Sequence, residues 1–315
     1  MRSAAAISEH LDTRTAAIEV AGLLESAMDG PSDLVFVFAS FHHREALADA
    51  VSDIRKTLSP KTIIGLTTES VVGCDLELEG VAGLSALAMH LPGVTITPWT
   101  TSPKKPVPIS KPDKIPDWIS LQDDTQVVLF FADPFSTPIT RLLPALVNCR
   151  GEETPLPVIG GMASGASAAT YNRLFLDDQG MRSGGIGLTI SGPIDFDCIV
   201  SQGCRPIGNP MRVTKVEGNV VLELGGRPAV EVIQDLASSL DPSEGNLLGG
   251  GLLLGSVINE NRDHFGRGDF LVRSILGIDR KRNGIAAGEF YRLGKTVQFH
   301  VRDAQTAVED LQLLL

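Results

Sequence analysis

The sequence predicts an α/β N-terminal domain of two similar β-α-β-β halves, followed by a smaller α+β domain that is expected to be incomplete. The first observation is a pair of short apolar runs, Leu34–Ala39 and Val127–Ala132, which are typical of strands buried on both faces. The second observation is that each run precedes a helical pattern and another strand, which favours a parallel β-α-β unit. The third observation is a change of pattern after Asp195, where hairpin and turn signals take over.

The elements of the first half come from apolar residues that recur at the spacing of a helix or a strand. Gly30 and Pro31 follow the first helical pattern, and neither residue continues a helix well. The segment from Ser102 to Pro116 is rich in Pro and Lys and predicts a solvated linker. In order, the predicted elements are a helix over 14–28, a strand over 34–38, a helix over 47–58 and strands over 62–65, 83–90 and 94–100.

The second half repeats this order at an offset of roughly 95–105 residues, which indicates a duplicated unit. The run Val127–Ala132 corresponds to Leu34–Ala39, and a helix and two strands follow both runs. We therefore expect two copies of one β-α-β-β unit, related by a pseudo-twofold axis. The matching elements are a strand over 127–132, a helix over 139–146 and strands over 157–161 and 185–190.

Beyond Asp195 the sequence predicts a separate domain. Two β-rich runs, 211–215 and 219–224, flank the turn at Gly218 and predict a hairpin. Pro228 suits the first turn of a helix, and Asp303 suits the cap of a last one. The predicted organisation is a helical lead over 1–32, the α/β domain over 33–215 and the α+β domain over 216–315.

The net charge and the cysteines restrict the class of partner. With 27 Lys and Arg against 38 Asp and Glu, the formal charge is −11, which repels phosphate backbones and argues against nucleic-acid binding. No apolar stretch approaches the roughly 20 residues that span a bilayer. The four cysteines form no Cys-x-x-Cys pair, so we interpret them as thiols in a reducing compartment. We therefore expect a cytoplasmic protein with a small-molecule partner and no contact with nucleic acid or membrane.

Two small, polar loops follow equivalent strands in the two halves. The loop Gly160–Ser167 consists almost entirely of Gly, Ala and Ser, whereas Gly65–Ser70 is rich in hydroxyls. The first of these lacks the Lys-Ser/Thr ending of a P-loop and the Gly-x-Gly-x-x-Gly of a dinucleotide site. Its small residues are typical of a tight turn, and they also let backbone N–H groups approach an anion. In the second interpretation, the two loops face each other and frame one pocket.

Cys204 and Arg205 lie where the two predicted domains meet. A thiol between Gly203 and Arg205 is a candidate nucleophile, although no His lies nearby in the sequence to act as its base. Arg205 is a candidate for a bidentate contact with a carboxylate. A structural crossover fixed by Gly and Pro is the alternative, and no catalytic residue is assigned from this pattern.

The six histidines indicate no metal site, because none stands with Cys or carboxylates at zinc spacing. His42 and His43 follow a strand end, where sites of α/β proteins gather; a solvated start of a helix is the alternative. Near the C-terminus, strand alternation places Gln298 and His300 outward or toward a ligand if Phe299 and its neighbours face the core.

Together, several of these motifs resemble the FIST family, whose name stands for F-box and intracellular signal transduction. The stretches Gly203–Gly208 and Val213–Asn219 are the most specific part, and the resemblance extends from about Asp33 to Leu315. It implies an N-terminal and a C-terminal FIST domain that form a sensory module binding a small ligand, such as an amino acid. The signal would leave through an output protein such as a kinase or a cyclase.

Combined with the loops, this resemblance places a ligand pocket among residues of both predicted domains. Arg205 would bind a carboxylate, and the hydroxyls and glycine N–H groups would orient it. The expected ligand-binding residues are Thr67, Thr68, Gly160, Gly161, Cys204, Arg205 and Arg273.

Two alternatives and two departures from the family pattern accompany this hypothesis. A thiol-dependent hydrolase or transferase would use Cys204, and a haem-binding gas sensor would use His42, His43 or His264 as axial ligand; no other cofactor and no metal are expected. Leu66 stands where relatives tend to have Cys. Relatives also usually continue past the helix that ends here, so the C-terminal FIST domain is expected to be incomplete.

Overall fold

The structure, a computed structural model, describes residues 1–198, 203–240, 245, 247–262, 264–266 and 268–314. The chain divides into two compact units, Met1–Phe196 and Asp197–Leu315. Both units mix helices with strands, and the second has a sheet of its own, which confirms the predicted mixed class. None of the described helices is long and apolar enough to cross a membrane. Leu315, the expected end of the last helix, lies outside the described residues.

The first unit alternates strands and helices in the predicted order. A 3₁₀ helix over Phe41–Ala46 leads from the first central strand into the helix that follows it. In chain order, the elements are β1 (Arg2–Ser8), α1 (Thr13–Met28), β2 (Leu34–Ser40), α2 (Leu47–Leu58), β3 (Thr62–Thr68), β4 (Ser70–Gly73), β5 (Leu76–Glu79), β6 (Leu84–His90), β7 (Thr95–Thr101), α3 (Ile115–Trp118), β8 (Thr125–Ala132), α4 (Ile139–Val147), β9 (Val158–Met162), β10 (Leu174–Leu176), β11 (Gln179–Met181) and β12 (Gly185–Ser191).

Two large sheets hold most of these strands. The first has the order β1-β6-β2-β3-β10-β11, and the second has the order β7-β12-β8-β9. Each contains one parallel pair joined by a helix, β2 with β3 through α2 and β8 with β9 through α4. An antiparallel strand flanks each pair, β6 beside β2 and β12 beside β8. The β-α-β crossovers expected from the two apolar runs are therefore present.

Strand β2 shows how the layers pack. Val35 and Val37 point into a core shared with α1 and α2. Leu34 and Phe36 point to the other side, into a core that also contains Leu188 and its neighbours from the second sheet. The outer face of that sheet packs against α3 and α4. The unit is a four-layer sandwich of helices, sheet, sheet and helices, which explains why its central strands are apolar on both faces.

Five strands of this unit, β1, β4, β5, β10 and β11, are not among the predicted elements, and β1 and β10 show why. β1 lies inside the predicted helical lead and pairs along β6 from Arg2 opposite His90 to Ser8 opposite Leu84. Its centre is a run of alanines, which are weak strand formers, so the sequence carries little strand signal there. β10 follows β9 in sequence but pairs antiparallel with β3 of the other sheet. Its three residues are too few to establish a periodicity.

An antiparallel sheet forms the second unit. In chain order, its described elements are β13 (Cys204–Glu217), β14 (Val220–Leu224), β15 (Arg227–Pro228), α5 (Ala229–Ser239), β16 (Leu252–Val257), β17 (Phe270–Asp279), β18 (Gly284–Ala287), β19 (Thr296–Arg302) and α6 (Ala304–Leu314). The strand order is β13-β19-β16-β17-β18-β14-β15, and β13 also pairs with β14, so the sheet closes on itself. The predicted hairpin is this β13–β14 pair. The core of the second unit joins Val221, Leu254 and Phe299 to Ala229 and Val232 of α5.

The outward orientation expected for Gln298 and His300 is wrong. β19 lies between β13 and β16 and is buried on both faces. His300 is 2% exposed, its ring packs edge-on against Phe270 at 4.9 Å between centroids, and its Nδ1 lies 3.0 Å from Gln298 O. Gln298 donates from Nε2 to Gly208 O at 2.7 Å. Hydrogen bonds to backbone carbonyls therefore allow both polar side chains to be buried.

The pairing of β9 with β8 requires a glycine at position 160. Gly160 lies opposite Phe130 and has a φ of +152°, and a Cβ at this position would lie 1.8 Å from Phe130 O. No side chain can replace the hydrogen at that distance. The next residue differs, since a Cβ at Gly161 would meet no atom within 4 Å.

This contrast predicts different stabilities for two neighbouring variants. Gly160→Ala is expected to lower the free energy of unfolding of the first unit by about 2–4 kcal/mol, because β9 must move away from β8. Gly161→Ala is the matched control and is expected to change it by less than about 1 kcal/mol. Denaturant unfolding followed by circular dichroism measures both values, and equal losses would contradict the proposed close approach.

Candidate functional site

The carboxyl ends of three strands meet in the first unit, and each of these strands belongs to a parallel pair in its own sheet. β3 ends at Thr68, Asp133 follows β8, and Ala163 follows β9. The segment from Ala163 to Tyr171, here called the serine–glycine loop, lies against these ends. Ligand sites of parallel sheets gather at the carboxyl ends of strands. This region is therefore the candidate site.

Asn172, which follows the serine–glycine loop, connects the three strand ends. It has no exposed surface, its Nδ2 donates to Asp133 Oδ1 and to Ala163 O at 3.1 Å each, and its Oδ1 accepts from Thr67 Oγ1 at 3.2 Å. The second carboxylate oxygen of Asp133 accepts from Ser136 Oγ at 2.6 Å. Because a buried amide is stable only when its donors and acceptor are paired, these contacts fix the spacing of β3, β8 and β9.

The two threonines at the end of β3 contact protein atoms. Thr67 donates from its backbone N to Arg173 O and accepts from Arg173 N at its hydroxyl, both at 3.0 Å. Thr68 donates from Oγ1 to Ala39 O at 3.4 Å. Both residues therefore hold β3 against neighbouring segments, and the direct ligand contact expected of them stays a prediction.

The two polar loops face each other, as one interpretation of the sequence predicts. Glu69 N donates to Ser164 Oγ at 3.1 Å, and Gly165 N donates to Thr67 O at 3.4 Å. A Cβ at Gly165 would lie 2.8 Å from Thr67 Cβ and 3.1 Å from Thr68 N. The small residues of the loop are explained in part by this close approach of two backbones.

A groove of about 790 Å³ lies beside this contact, which is a size suited to a small molecule. One wall comes from the 3₁₀ helix after β2, and the other comes from the serine–glycine loop. Polar atoms come from an imidazole, a carboxylate and three hydroxyls, and apolar surface comes from two aromatic rings and two alanines. The lining residues are Phe41, His42, Glu69, Gly80, Ser164, Gly165, Ala166, Ser167, Ala168 and Tyr171.

His42 is oriented by a buried serine. Ser40 Oγ lies 3.2 Å from His42 Nδ1 and accepts a hydrogen bond from Gly83 N at 3.0 Å. With Gly83 on one acceptor position, the hydroxyl still has a donor and a second acceptor position, so the contact fits either tautomer of His42. In the tautomer that carries its proton on Nε2, the exposed His42 can donate from Nε2 to a ligand in the groove.

Arg44 holds the two aromatic rings of the groove in place. Its guanidinium carbon lies 4.3 Å from the centroid of Phe41 and 5.0 Å from that of Tyr171. Such cation–π contacts contribute about 0.5–1 kcal/mol each at exposed sites. The guanidinium of Arg44 therefore links the two walls of the groove, because Phe41 belongs to one wall and Tyr171 to the other.

None of the residues that line the groove is among the expected ligand-binding residues. His42 and the two loops stand out in the sequence because they follow predicted strand ends, whereas Phe41 and Tyr171 belong to no motif. An aromatic residue directly before the histidine pair is the signal that could have identified Phe41. Glu69 lies inside the loop that was singled out, and its carboxylate was not considered.

The remaining expected site residues lie elsewhere. Gly160 and Gly161 are part of β9 and do not line the groove. Cys204 and Arg205 begin β13 in the second unit, where Arg205 Nε lies 3.4 Å from Asp303 Oδ2. Arg273 is exposed in β17 and donates from Nη1 to Val272 O at 3.3 Å. A pocket that includes these residues stays a prediction.

The geometry also bears on metal and haem ligands. Among the described residues, no group of three or more His, Cys, Asp and Glu is arranged to hold a metal ion. His43 is buried with its Nδ1 3.0 Å from Thr13 Oγ1, so it belongs to the core and not to the groove. His264 is exposed in the second unit. Of the three expected axial candidates, His42 is the one that lines the groove.

Fold and site together define a two-domain α/β protein with a ligand-sized groove in its first unit. The model of the FIST N domain matches residues 33–227, and that of the FIST C domain matches residues 229–315. The chain therefore belongs to the FIST family, as the sequence motifs predict. The family is associated with sensing in signal transduction, and these matches leave the ligand unspecified.

Relatives occur in mycobacteria and in an archaeon. An uncharacterised protein of Mycobacterium tuberculosis is 32% identical over 99% of this chain and 80% of its own length. One of Mycobacterium bovis is 30% identical over 99% of this chain and 79% of its own length. One of Methanocaldococcus jannaschii is 32% identical over 30% of this chain and 18% of its own length.

The network around Asn172 predicts a large loss of stability when the amide is removed. Asn172→Ala leaves Asp133 Oδ1 and the Thr67 hydroxyl without their buried partner, and we expect a loss of about 2–4 kcal/mol in the free energy of unfolding. Asn148→Ala, at the exposed C-cap of α4, is the control and is expected to cost less than about 1 kcal/mol. Limited proteolysis should also cut the serine–glycine loop faster in Asn172→Ala, and an unchanged cleavage rate would contradict the assigned role.

Two buried histidines predict a pH dependence of stability. Burial lowers the pKa of His43, with the neighbouring charge of His42 adding to the effect, and burial also lowers the pKa of His300. The unfolded chain therefore binds more protons than the folded one below about pH 6.5. Stability that is fully present above that pH is lost as the pH falls, by at most about 1.4 kcal/mol per pH unit for each histidine.

Denaturant unfolding between about pH 7 and pH 5 measures this loss. His300→Asn should flatten the pH profile of the second unit, and His43→Asn should flatten that of the first. His10→Asn, at an exposed position, is the control and should leave both profiles unchanged. Profiles that are as steep without the buried imidazoles as with them would refute the assignment.

Proposed function

We propose that this protein is a cytoplasmic sensory module of intracellular signal transduction that binds a small ligand, an amino acid or a similar carboxylate. The observation that carries the proposal is the groove between the 3₁₀ helix and the serine–glycine loop. It lies at the carboxyl ends of parallel strands, is of ligand size and joins aromatic surface to a few polar groups. Binding would be passed to an output protein such as a kinase or a cyclase.

The polar groups of the groove are matched to a zwitterion. The carboxylate of Glu69 suits an ammonium group, whose charge it neutralises. The hydroxyls of Ser164 and Ser167 and Nε2–H of His42 are donors for a carboxylate. Phe41 and Tyr171 offer apolar surface for a side chain between them. An α-amino acid carries all three features on adjacent atoms.

The residues expected from the sequence remain part of the proposal. Arg205 is retained as a second candidate partner of the carboxylate, together with Cys204 and Arg273. Thr67 and Thr68 support the groove from beneath through the contacts described above. Variants of the two groups distinguish a groove confined to the first unit from a pocket that also needs the second.

We further propose that the two sheets of the first unit descend from one duplicated segment. The order β1-β6-β2-β3 matches the order β7-β12-β8-β9, with a helix in each corresponding connection. The duplicated segment would then include β1 and α1, which precede the repeat expected from the sequence. Under this proposal, the two loops that meet at Gly165 are equivalent ends of the two copies.

A ligand screen tests the sensory proposal. Amino acids and short organic acids are added to the intact chain, and the unfolding temperature is measured by a thermal-shift assay, followed by calorimetric titration of any compound that stabilises it. At least one compound with both an ammonium and a carboxylate is expected to bind. Glu69→Gln should weaken it by at least about tenfold, because the ammonium loses its charged partner.

Two control variants complete the screen. Glu25→Gln, at an exposed position of α1, changes the same charge away from the groove and should leave the affinity unchanged. Arg205→Ala tests the second candidate partner. A loss with Glu69→Gln alone places the site in the groove, and a loss with both variants supports the wider pocket. If no amino acid or organic acid binds, or if Glu25→Gln weakens binding as much as Glu69→Gln, the proposal fails.

A further inference from the structure

A second, smaller pocket of the first unit collects positive charge. Arg44, Arg173 and Arg182 line a pocket of about 240 Å³ together with Glu45. Guanidinium groups repel one another and are always ionised in proteins, so three of them around one carboxylate require an explanation. The concentration of cations is more unusual because the chain as a whole carries −11.

The protein holds two of these arginines in fixed positions. Arg173 is largely buried, and its Nη1 donates to the carbonyl oxygens of Thr170, Tyr171 and Asn172, each at 3.0 Å. Arg44 is fixed by its contacts with the rings of Phe41 and Tyr171 described above. The two guanidinium groups are therefore preorganised before any ligand arrives.

Glu45 compensates this charge only in part. Its carboxylate contacts Arg44 Nη2 and lies 3.6 Å from Arg173 Nη2, but its side chain is 70% exposed. Within the described part of the chain, Arg44 Nε is buried and has no hydrogen-bond partner. Burial lowers the pKa of Arg173, and the charges of Arg182 and Arg44 act in the same direction. Among the described residues that line the pocket, three arginines against one glutamate leave a net charge of +2.

We propose that the pocket formed by Arg44, Arg173 and Arg182 is a binding site for a phosphate dianion, either free phosphate or a small phosphate monoester. The dianion takes the place of the Glu45 carboxylate between Arg44 and Arg173. Arg182, which is exposed at the mouth of the pocket, closes on the third oxygen. This site is separate from the groove and does not depend on the sensory proposal.

Phosphate matches the pocket in charge and in shape. Once the Glu45 carboxylate is displaced, the three guanidinium groups carry +3, and the charge of about −1.5 to −2 of a phosphate group at neutral pH offsets at least half of it. The tetrahedral oxygens of phosphate can accept from all three guanidinium groups at once, whereas the two oxygens of the Glu45 carboxylate contact two of them, Arg44 and Arg173. Glu45 stands on a short 3₁₀ helix with its carboxylate toward solvent, so its displacement disturbs no core contact.

Calorimetric titration of the intact chain with inorganic phosphate tests the site, with ionic strength kept constant by chloride. Saturable binding is expected, and Arg182→Gln should weaken it by at least about fivefold, because one charged donor is lost. Glu45→Gln should strengthen it about threefold or more, because the competing carboxylate is gone. A parallel titration with O-phosphoethanolamine separates the two sources, since tighter binding of the monoester identifies an ester and tighter binding of inorganic phosphate identifies the free ion.

Two matched controls test whether the changes in affinity come only from the net charge of the protein. Arg141→Gln and Glu25→Gln make the same charge changes at exposed helical positions and should leave the phosphate affinity unchanged. Binding that does not saturate, or that falls equally in Arg182→Gln and Arg141→Gln, overturns the site. An unchanged or weaker affinity in Glu45→Gln overturns the exchange of carboxylate for phosphate.

Discussion

A single buried amide, that of Asn172, makes hydrogen bonds to residues at the carboxyl ends of β3, β8 and β9. These strands belong to two different sheets, so the amide also sets the distance between the sheets at this edge. The serine–glycine loop begins and ends at residues that Asn172 holds or adjoins. The shape of the groove therefore depends on a polar contact that lies beneath it, although Asn172 itself does not touch the groove.

Much of the first unit could be predicted because its central strands are covered on both faces. Such strands need apolar residues at every position, and runs like Leu34–Ala39 are easy to recognise. β1 was missed because small alanines are enough to fill the space where this strand pairs with β6 and packs against α1. The pairing of β10 with β3 was missed because a three-residue strand has no period and its partner is far away in sequence. Local pattern determines which segments are strands, and tertiary packing determines which strands are neighbours.

The site was less predictable than the fold, for a physical reason. Loops with small residues follow from the sequence because close backbone approach allows little else, as at Gly165. The side chains that line the groove are ordinary residues whose meeting depends on tertiary structure. Tyr171 and Phe41 lie far apart in the chain and come together through the guanidinium of Arg44. The arginine pocket is hidden from sequence analysis in the same way, since no two of its three arginines are neighbours in sequence.

The pairing of β10 with β3 in the first sheet has a consequence for synthesis on the ribosome. β3 is complete at residue 68, but its partner follows more than a hundred residues later, as the separation of 106 between Thr67 and Arg173 shows. At a translation rate of about 5–20 residues per second, this edge of β3 stays unpaired for about 5–20 s. An open strand edge is a template for wrong partners during that time. The order of synthesis therefore leaves this edge of β3 open until β10 has been made.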